Sequence, residues 1–182
     1  LLDPGKEPYK NTRFLIFLAA VISAVDKHQD LLRISISGAG NDHRLGANEA
    51  PPAIVSMFLG EELTGILEAI KNGTEYRPLE KREMDTSVEA LPNFTKDTTD
   101  RNRTSPFAFT GNKFEFRMLG STISISGPNI VLNTIVAEAL DCIAARLEKV
   151  EDKESECRTI IKDIMDKHGR IIFNGNNYTD QW

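Results

Sequence analysis

From Phe14 to Ile22 the chain is almost continuously apolar, and Phe14, Phe17, Leu18, Val21 and Val25 recur at helical spacing. This predicts a helix from Thr12, as its cap, to about Lys27. The run is about half of what a bilayer crossing needs, and it lacks the cleavage region of a signal peptide. It therefore reads as a core helix of a globular domain. A second helical pattern opens at Pro128 and runs to about Val150, with Ile130, Val131, Ile135, Val136, Leu140 and Ile143 as its buried set. Between the two, Lys113 to Met118 alternates as a strand with one apolar face and one charged face. Helices and strands are both expected, and the class read from them is α+β.

The other segments follow the same reasoning. Leu31 to Ser37 alternates with β-branched Ile34 and Ile36 and predicts a short strand. Gly38, Gly40 and Gly46 mark a sharply bending loop. Pro51-Pro52 suits the first turn of a helix, with Ile54, Val55, Phe58 and Leu59, then Leu63, Ile66, Leu67 and Ile70 as apolar faces, stopped at Gly73. From Thr74 to about Asp100 the apolar pattern gives way to charges, threonines and prolines; Thr86 to Leu91 could be a strand of a hairpin inside this excursion. Ser121 to Ser126 is a short strand or an extended loop. A charged, exposed helix is predicted from Lys153 to Lys167, ending near Gly169, before a last apolar stretch, Ile171 to Phe173.

The 182 residues suffice for one domain with a sizeable core. The formal charge of −5 argues against broad binding to nucleic acid or anionic membranes, since no global positive field is present. Cys142 and Cys157 do not make a disulfide framework, and a reducing compartment fits them better. The chain starts without methionine, as an excerpt would. His28 and His168 read as surface histidines at helix ends, and His43 as a hydrogen-bonded loop residue.

Three clusters could carry chemistry. The first is Asn41 to Pro52, with Arg44 and Glu49 in a glycine-rich loop. The second is Asp100-Arg101-Asn102-Arg103-Thr104-Ser105-Pro106. The third is the strand on which Lys113, Glu115 and Arg117 stand about 7 Å apart on one face. A carboxylate between two cations suits a metal ion and a polyanion sharing a site, but also describes a solvated, salt-bridged strand edge. On chemistry alone these clusters describe an anion-binding α+β domain or ordinary surface charge.

Taken together and in this order, the clusters resemble glutamine synthetase, most closely the type III group. The resemblance lies in Gly-Asn-Asp-His-Arg-Leu-Gly-Ala-Asn-Glu-Ala-Pro-Pro (40–52), in the string from Lys96 to Arg117, in Gly-Pro-Asn-Ile-Val-Leu-Asn-Thr (127–134) and in Arg170-Ile-Ile-Phe-Asn-Gly. It implies helices packed on part of a mostly antiparallel sheet, residues 1–182 being an incomplete catalytic domain with a subgroup insertion at about 60–96. It also implies ligation of ammonia to L-glutamate with ATP and Mg2+ (or Mn2+) through γ-glutamyl phosphate, in a ring-shaped homo-oligomer. Phosphorylation turns the carboxylate into an acyl donor that ammonia can attack, and cations stabilise the transferring phosphoryl group.

Residue by residue, Arg44 matches the arginine that holds the substrate carboxylate, and Glu49 the flap glutamate that takes a proton from ammonium. Asn48 stands where the common form has tyrosine. Arg103 matches an arginine on the ATP phosphates and the transferring phosphoryl group, while Ala108 replaces the family's next arginine. Lys113 replaces a nucleotide-side arginine, keeping charge without a bidentate fork. Glu115 matches a metal ligand and Arg117 a contact to glutamate. The family's other metal ligands lie upstream of such a segment, so the 182 residues alone are expected to be inactive. Two other readings are a non-catalytic oligomer of the same family and a carboxylate–amine ligase with another substrate; retention of all these charged residues favours the enzyme.

Overall fold

The computed structural model describes residues 1–43, 54–78, 83–84, 94–95 and 105–175. Helix α1 (Thr12–Lys27) is the centre of the molecule. Its cap is Asn11, whose side chain accepts the Phe14 N–H at 3.1 Å, and not Thr12, which is already inside the helix. Leu15, Ile16, Ala19, Ala20, Ile22 and Ala24 are buried in addition to the expected Phe14, Leu18, Val21 and Val25, whereas Phe17 is only partly covered. A helix apolar on nearly all sides must be surrounded, and α1 packs against both α5 (Ser126–Leu147) and α6 (Lys153–His168).

Leu31 to Ser37 is not a strand. Gln29–Ser35 forms α2, and a one-turn helix, α3, follows at Ala39–Asp42. Leu32 is fully buried, while Leu31 and Ile34 face outward. A short apolar run cannot distinguish strand from helix by its period. Here α2 lies on α5 and pairs with no strand. Ser35 Oγ also donates to the Leu32 carbonyl at 2.6 Å, within the helix.

The segment after Pro52 also departs from expectation. Residues 51–53 lie outside the described residues, but Met57–Phe58 is strand β1, and α4 begins only at Glu61, running to Asn72. Gly60, with φ 84°, makes the break between them. Val55, Met57 and Leu59 are buried. A strand covered on both faces reads as a continuous apolar run, which periodicity cannot distinguish from a buried helix. Helix α4 ends as expected at Gly73 in the left-handed conformation, where the Thr74 N–H reaches the Ala69 carbonyl at 2.9 Å.

Among the described residues two sheets are formed. Glu83–Met84 (β2) pairs antiparallel with Phe94–Thr95 (β3), so the excursion contains an antiparallel ladder; the suggested strand from Thr86 to Leu91 lies outside the described residues. The second sheet has the order β1, β4 (Phe107–Phe109), β5 (Phe114–Phe116). It is mixed: β1 and β4 are parallel, β4 and β5 antiparallel. Beyond β1, Ile172 adds a parallel bridge to Met57. Ser121 to Ile125 is turn and loop, and α5 starts at Ser126.

The expected core set of α5 holds in part. Ile135 and Ile143 are buried and Val131, Val136 and Leu140 partly so, but Ile130 is 66% exposed. Helix α6, capped by Asp152 through the Ser155 N–H, is not a wholly exposed helix. Cys157, Ile160, Ile161 and Met165 are buried where it packs on α1 and α4. Their spacing is helical and was legible, but the many charges between them obscured it. The fold class is α+β.

Candidate functional site

Register assigns the two faces of the sheet. Met57, Phe107 and Phe116 lie across from one another, and Phe109 pairs with Phe114 on the same side. These aromatic rings pack at centroid distances of 5.1 Å (Phe107–Phe114) and 5.2 Å (Phe109–Phe114), and Phe109 meets Phe14 of α1 at 5.8 Å. The opposite face carries Phe58, Ala108 and Glu115 in one cross-strand row, with Lys113 and Arg117 on either side of Glu115. One face of β5 is therefore committed to the core, and the other presents three charges together.

Those charges form a linked set. Arg117 Nε and one terminal guanidinium nitrogen each lie 3.1 Å from Glu115 Oε2. On the other carboxylate oxygen, Thr110 Oγ1 donates at 3.2 Å and Lys113 Nζ lies at 3.8 Å. The Arg117 hydrogen bond, helped by Thr110 and by both positive charges, holds the Glu115 carboxyl below its ordinary range despite partial burial. Glu115 is thus an ionised, oriented oxygen donor. Arg117 is 15% exposed and Lys113 66%, so the arginine is seated and the lysine reaches outward. Thr110, Gly111 and Asn112 make the tight connection that holds this geometry; the Thr110 N–H bonds the Lys113 carbonyl at 2.8 Å, and Gly111 takes φ 82°.

Ala108, where an arginine was expected by resemblance, is completely buried and directly opposite Glu115. A larger side chain here would stand beside the carboxylate, where Ala108 contributes only a methyl group.

The parallel β1–β4 pairing also aligns two chain ends. Val55 and Ser56, which lead into β1, and Ser105 and Pro106, which lead into β4, enter the sheet in the same direction, and all are buried. The Arg117 N–H bonds the Pro106 carbonyl at 2.7 Å, bringing β5 to the same end. Arg44, Glu49 and Arg103 lie outside the described residues. What the fold brings together is the end of the chain leaving the first cluster, the end of the second, and the third cluster itself.

Several polar groups escaped the sequence reading. Asp26 of α1, its side chain 2% exposed, binds His168 Nδ1 at 2.8 Å and Arg170 Nε at 3.0 Å. His28 Nε2 lies 2.8 Å from Glu138, which also pairs with Lys27. His28 and His168 are therefore partly buried, each against a carboxylate, and are not plain surface histidines. Nothing local in the sequence connects positions so far apart. A groove of about 180 Å³ between α1, α5 and α6 is lined by Lys27, His28, Glu138, Cys142 and Arg146, but it shares no residue with the β5 row. Both cysteines are free. Among the described residues, no three His, Cys, Asp or Glu side chains are grouped to hold a metal, and no helix is long and apolar enough to cross a membrane.

Comparison with known proteins gives a consistent picture. A family model described as the glutamine synthetase C-terminal domain matches residues 156–182. The whole chain is 51% identical to a type-3 glutamine synthetase of Dictyostelium discoideum, covering 25% of that protein. It is 47% identical to a glutamine synthetase of Butyrivibrio fibrisolvens and 43% identical to one of Bacteroides fragilis (strain YCH46), covering 26% of each. The chain thus spans about a quarter of the length of these relatives.

Proposed function

Because this chain belongs to the glutamine synthetase family, we propose that it supplies the flap and part of the phosphate and metal site for ligating ammonia to L-glutamate with ATP. The observation that carries the reading is the charged row on β5, turned away from the aromatic core and joined to the start of β4 by the Arg117–Pro106 hydrogen bond.

In this reading Arg117 and Arg44 hold the carboxylates of glutamate. A planar guanidinium suits that task, since it can donate two parallel hydrogen bonds. Arg103 and Lys113 bind ATP phosphates and stabilise charge on the phosphoryl group as it passes to the substrate. Glu49 takes a proton from ammonium, releasing the lone pair that attacks the acyl phosphate.

Glu115 fits a hard divalent cation such as Mg2+ or Mn2+, being an ionised carboxylate beside the proposed phosphate groups. A bound cation there would neutralise phosphate oxygens during transfer. One carboxylate is a partial ligand set, and the rest of the coordination belongs to other parts of the protein. The proposal includes a homo-oligomeric ring and a cytoplasmic or plastid setting, both carried by the family resemblance.

The test is an assay of the full-length protein with glutamate, other carboxylates and several amines, beside its Glu49→Ala variant. Glutamine formation that falls by about a hundredfold or more in the variant, with ATP binding retained, is the expected result. Unchanged turnover would remove Glu49 from its role. Absence of glutamine formation in the wild type, or preference for another amine, would favour the non-catalytic or the alternative ligase reading.

A further inference from the structure

Thr110 is the first residue after β4, two places beyond Ala108, so it stands on the same face of the hairpin as Glu115. Its backbone is held on both sides. The Thr110 N–H bonds the Lys113 carbonyl at 2.8 Å, and the Thr110 carbonyl accepts the Asn112 N–H at 3.1 Å. Gly111, at φ 82°, lets the chain turn back between them. The side chain thus leaves a fixed backbone, and its Oγ1 donates to Glu115 Oε1 at 3.2 Å. Ala108, directly opposite Glu115, brings no polar side-chain atom, so the carboxylate's partners come from the hairpin itself. They divide between its two oxygens. Arg117 places two nitrogens on Oε2, each at 3.1 Å. Oε1 holds the Thr110 hydrogen bond, while Lys113 Nζ, at 3.8 Å, is beyond hydrogen-bond length. A carboxylate oxygen has two acceptor positions, so Oε2 is filled and one position on Oε1 remains.

We infer that Thr110 is a positioning residue: with Arg117 it fixes the Glu115 carboxylate and leaves one acceptor position, on Oε1, for a divalent cation. The inference rests on reading Glu115 as a cation ligand. The terminal torsion of a glutamate is broad and soft, so a carboxylate held through one oxygen alone can still turn. Hydrogen bonds to both oxygens remove that freedom before a cation arrives, as outer partners do for other metal ligands. A hydroxyl suits the task, because it donates one hydrogen bond and adds no positive charge to repel the cation.

The experiment uses the full-length protein with Mn2+ as the probe, the unbound ion being followed by its electron paramagnetic resonance signal. Thr110→Val keeps the branched shape, which suits a residue at a strand end, and removes the donor. Thr110→Ser keeps the hydroxyl. Glu115→Gln is measured alone and combined with Thr110→Val. At the site that Glu115→Gln weakens, the Mn2+ Kd should rise about tenfold in Thr110→Val and stay within about threefold of wild type in Thr110→Ser. In the Glu115→Gln background Thr110→Val should add nothing, because the carboxylate it orients is gone. A merely structural role would weaken binding equally in both backgrounds. Unchanged affinity in Thr110→Val, or an equal loss in the Glu115→Gln background, overturns the inference. Mn2+ binding that is the same in wild type and Glu115→Gln overturns the reading of Glu115 as a ligand, and the Thr110 inference falls with it.

Discussion

Asp26 and His168 meet at 2.8 Å although they belong to the ends of different helices, and the carboxylate they share with Arg170 is almost wholly buried. This contact ties the end of α1 to the end of α6 and starts the segment that runs on to β1.

Asp26→Ala should therefore destabilise the fold. Arg170 is 75% exposed and can return to water, so the loss comes mainly from His168 and the emptied acceptor position, about 1–3 kcal/mol. Asp26→Asn, which keeps one acceptor oxygen, should lose less. Denaturant midpoints at constant slope would measure both, and an unchanged midpoint in Asp26→Ala would reduce the contact to an incidental one.

Glu115 provides a pH test. Arg117, its main partner, lowers its pKa in the folded state. A depressed carboxyl pKa contributes stability that is present above the unfolded value and is lost as pH falls through the folded value. Glu115→Gln should flatten the acid limb of the stability profile below the ordinary carboxylate range, with little change near neutrality beyond the lost ion pair. The side chain is 39% exposed, so the effect should be small and should shrink in high salt. A profile of unchanged shape would contradict the assigned pairing.

The two cysteines should differ in reactivity. Burial raises the Cys157 thiol pKa, with Glu156 and Glu154 adding to it, whereas Cys142 is exposed on α5. Alkylation of native protein followed by peptide mass mapping should label Cys142 first and Cys157 only on unfolding. Equal labelling rates would place Cys157 outside the core.

If the proposed reaction runs on divalent cations, the 182 residues by themselves should show no γ-glutamyl transfer, because among the described residues no three His, Cys, Asp or Glu side chains are grouped to hold one. An assay with glutamine as the γ-glutamyl donor, hydroxylamine as the acceptor, ADP, arsenate and a divalent cation would check this; detectable γ-glutamyl hydroxamate would require a complete site within the chain.

Much of the fold was legible because it is set locally. The apolar period of α1 and α5, the glycine stop at Gly73 and the alternation through Lys113–Met118 all depend on neighbours within a few residues. The candidate residues stood out in a different way: the strings around Arg44, Arg103 and Glu115 are distinctive as sequence, and alternation alone predicted Lys113, Glu115 and Arg117 on one face, where the structure has them linked.

What remained open needed partners far along the chain. Periodicity could not tell that Leu31–Ser37 would lie on α5 as a helix, or that Met57–Phe58 would be a strand between β4 and Ile172. The charges of α6 hid the stripe that α1 and α4 cover. The sequence by itself determined the main helices, the charged face of β5 and the family. Tertiary structure decided that β1 and β4 run side by side, that Asp26 receives His168 and Arg170, and that Asn174 Oδ1 accepts the Leu59 and Gly60 N–H groups after β1. Each of these is a hydrogen-bonded pairing between distant segments, and the energy of such a pair exists only once the chain has brought both halves together.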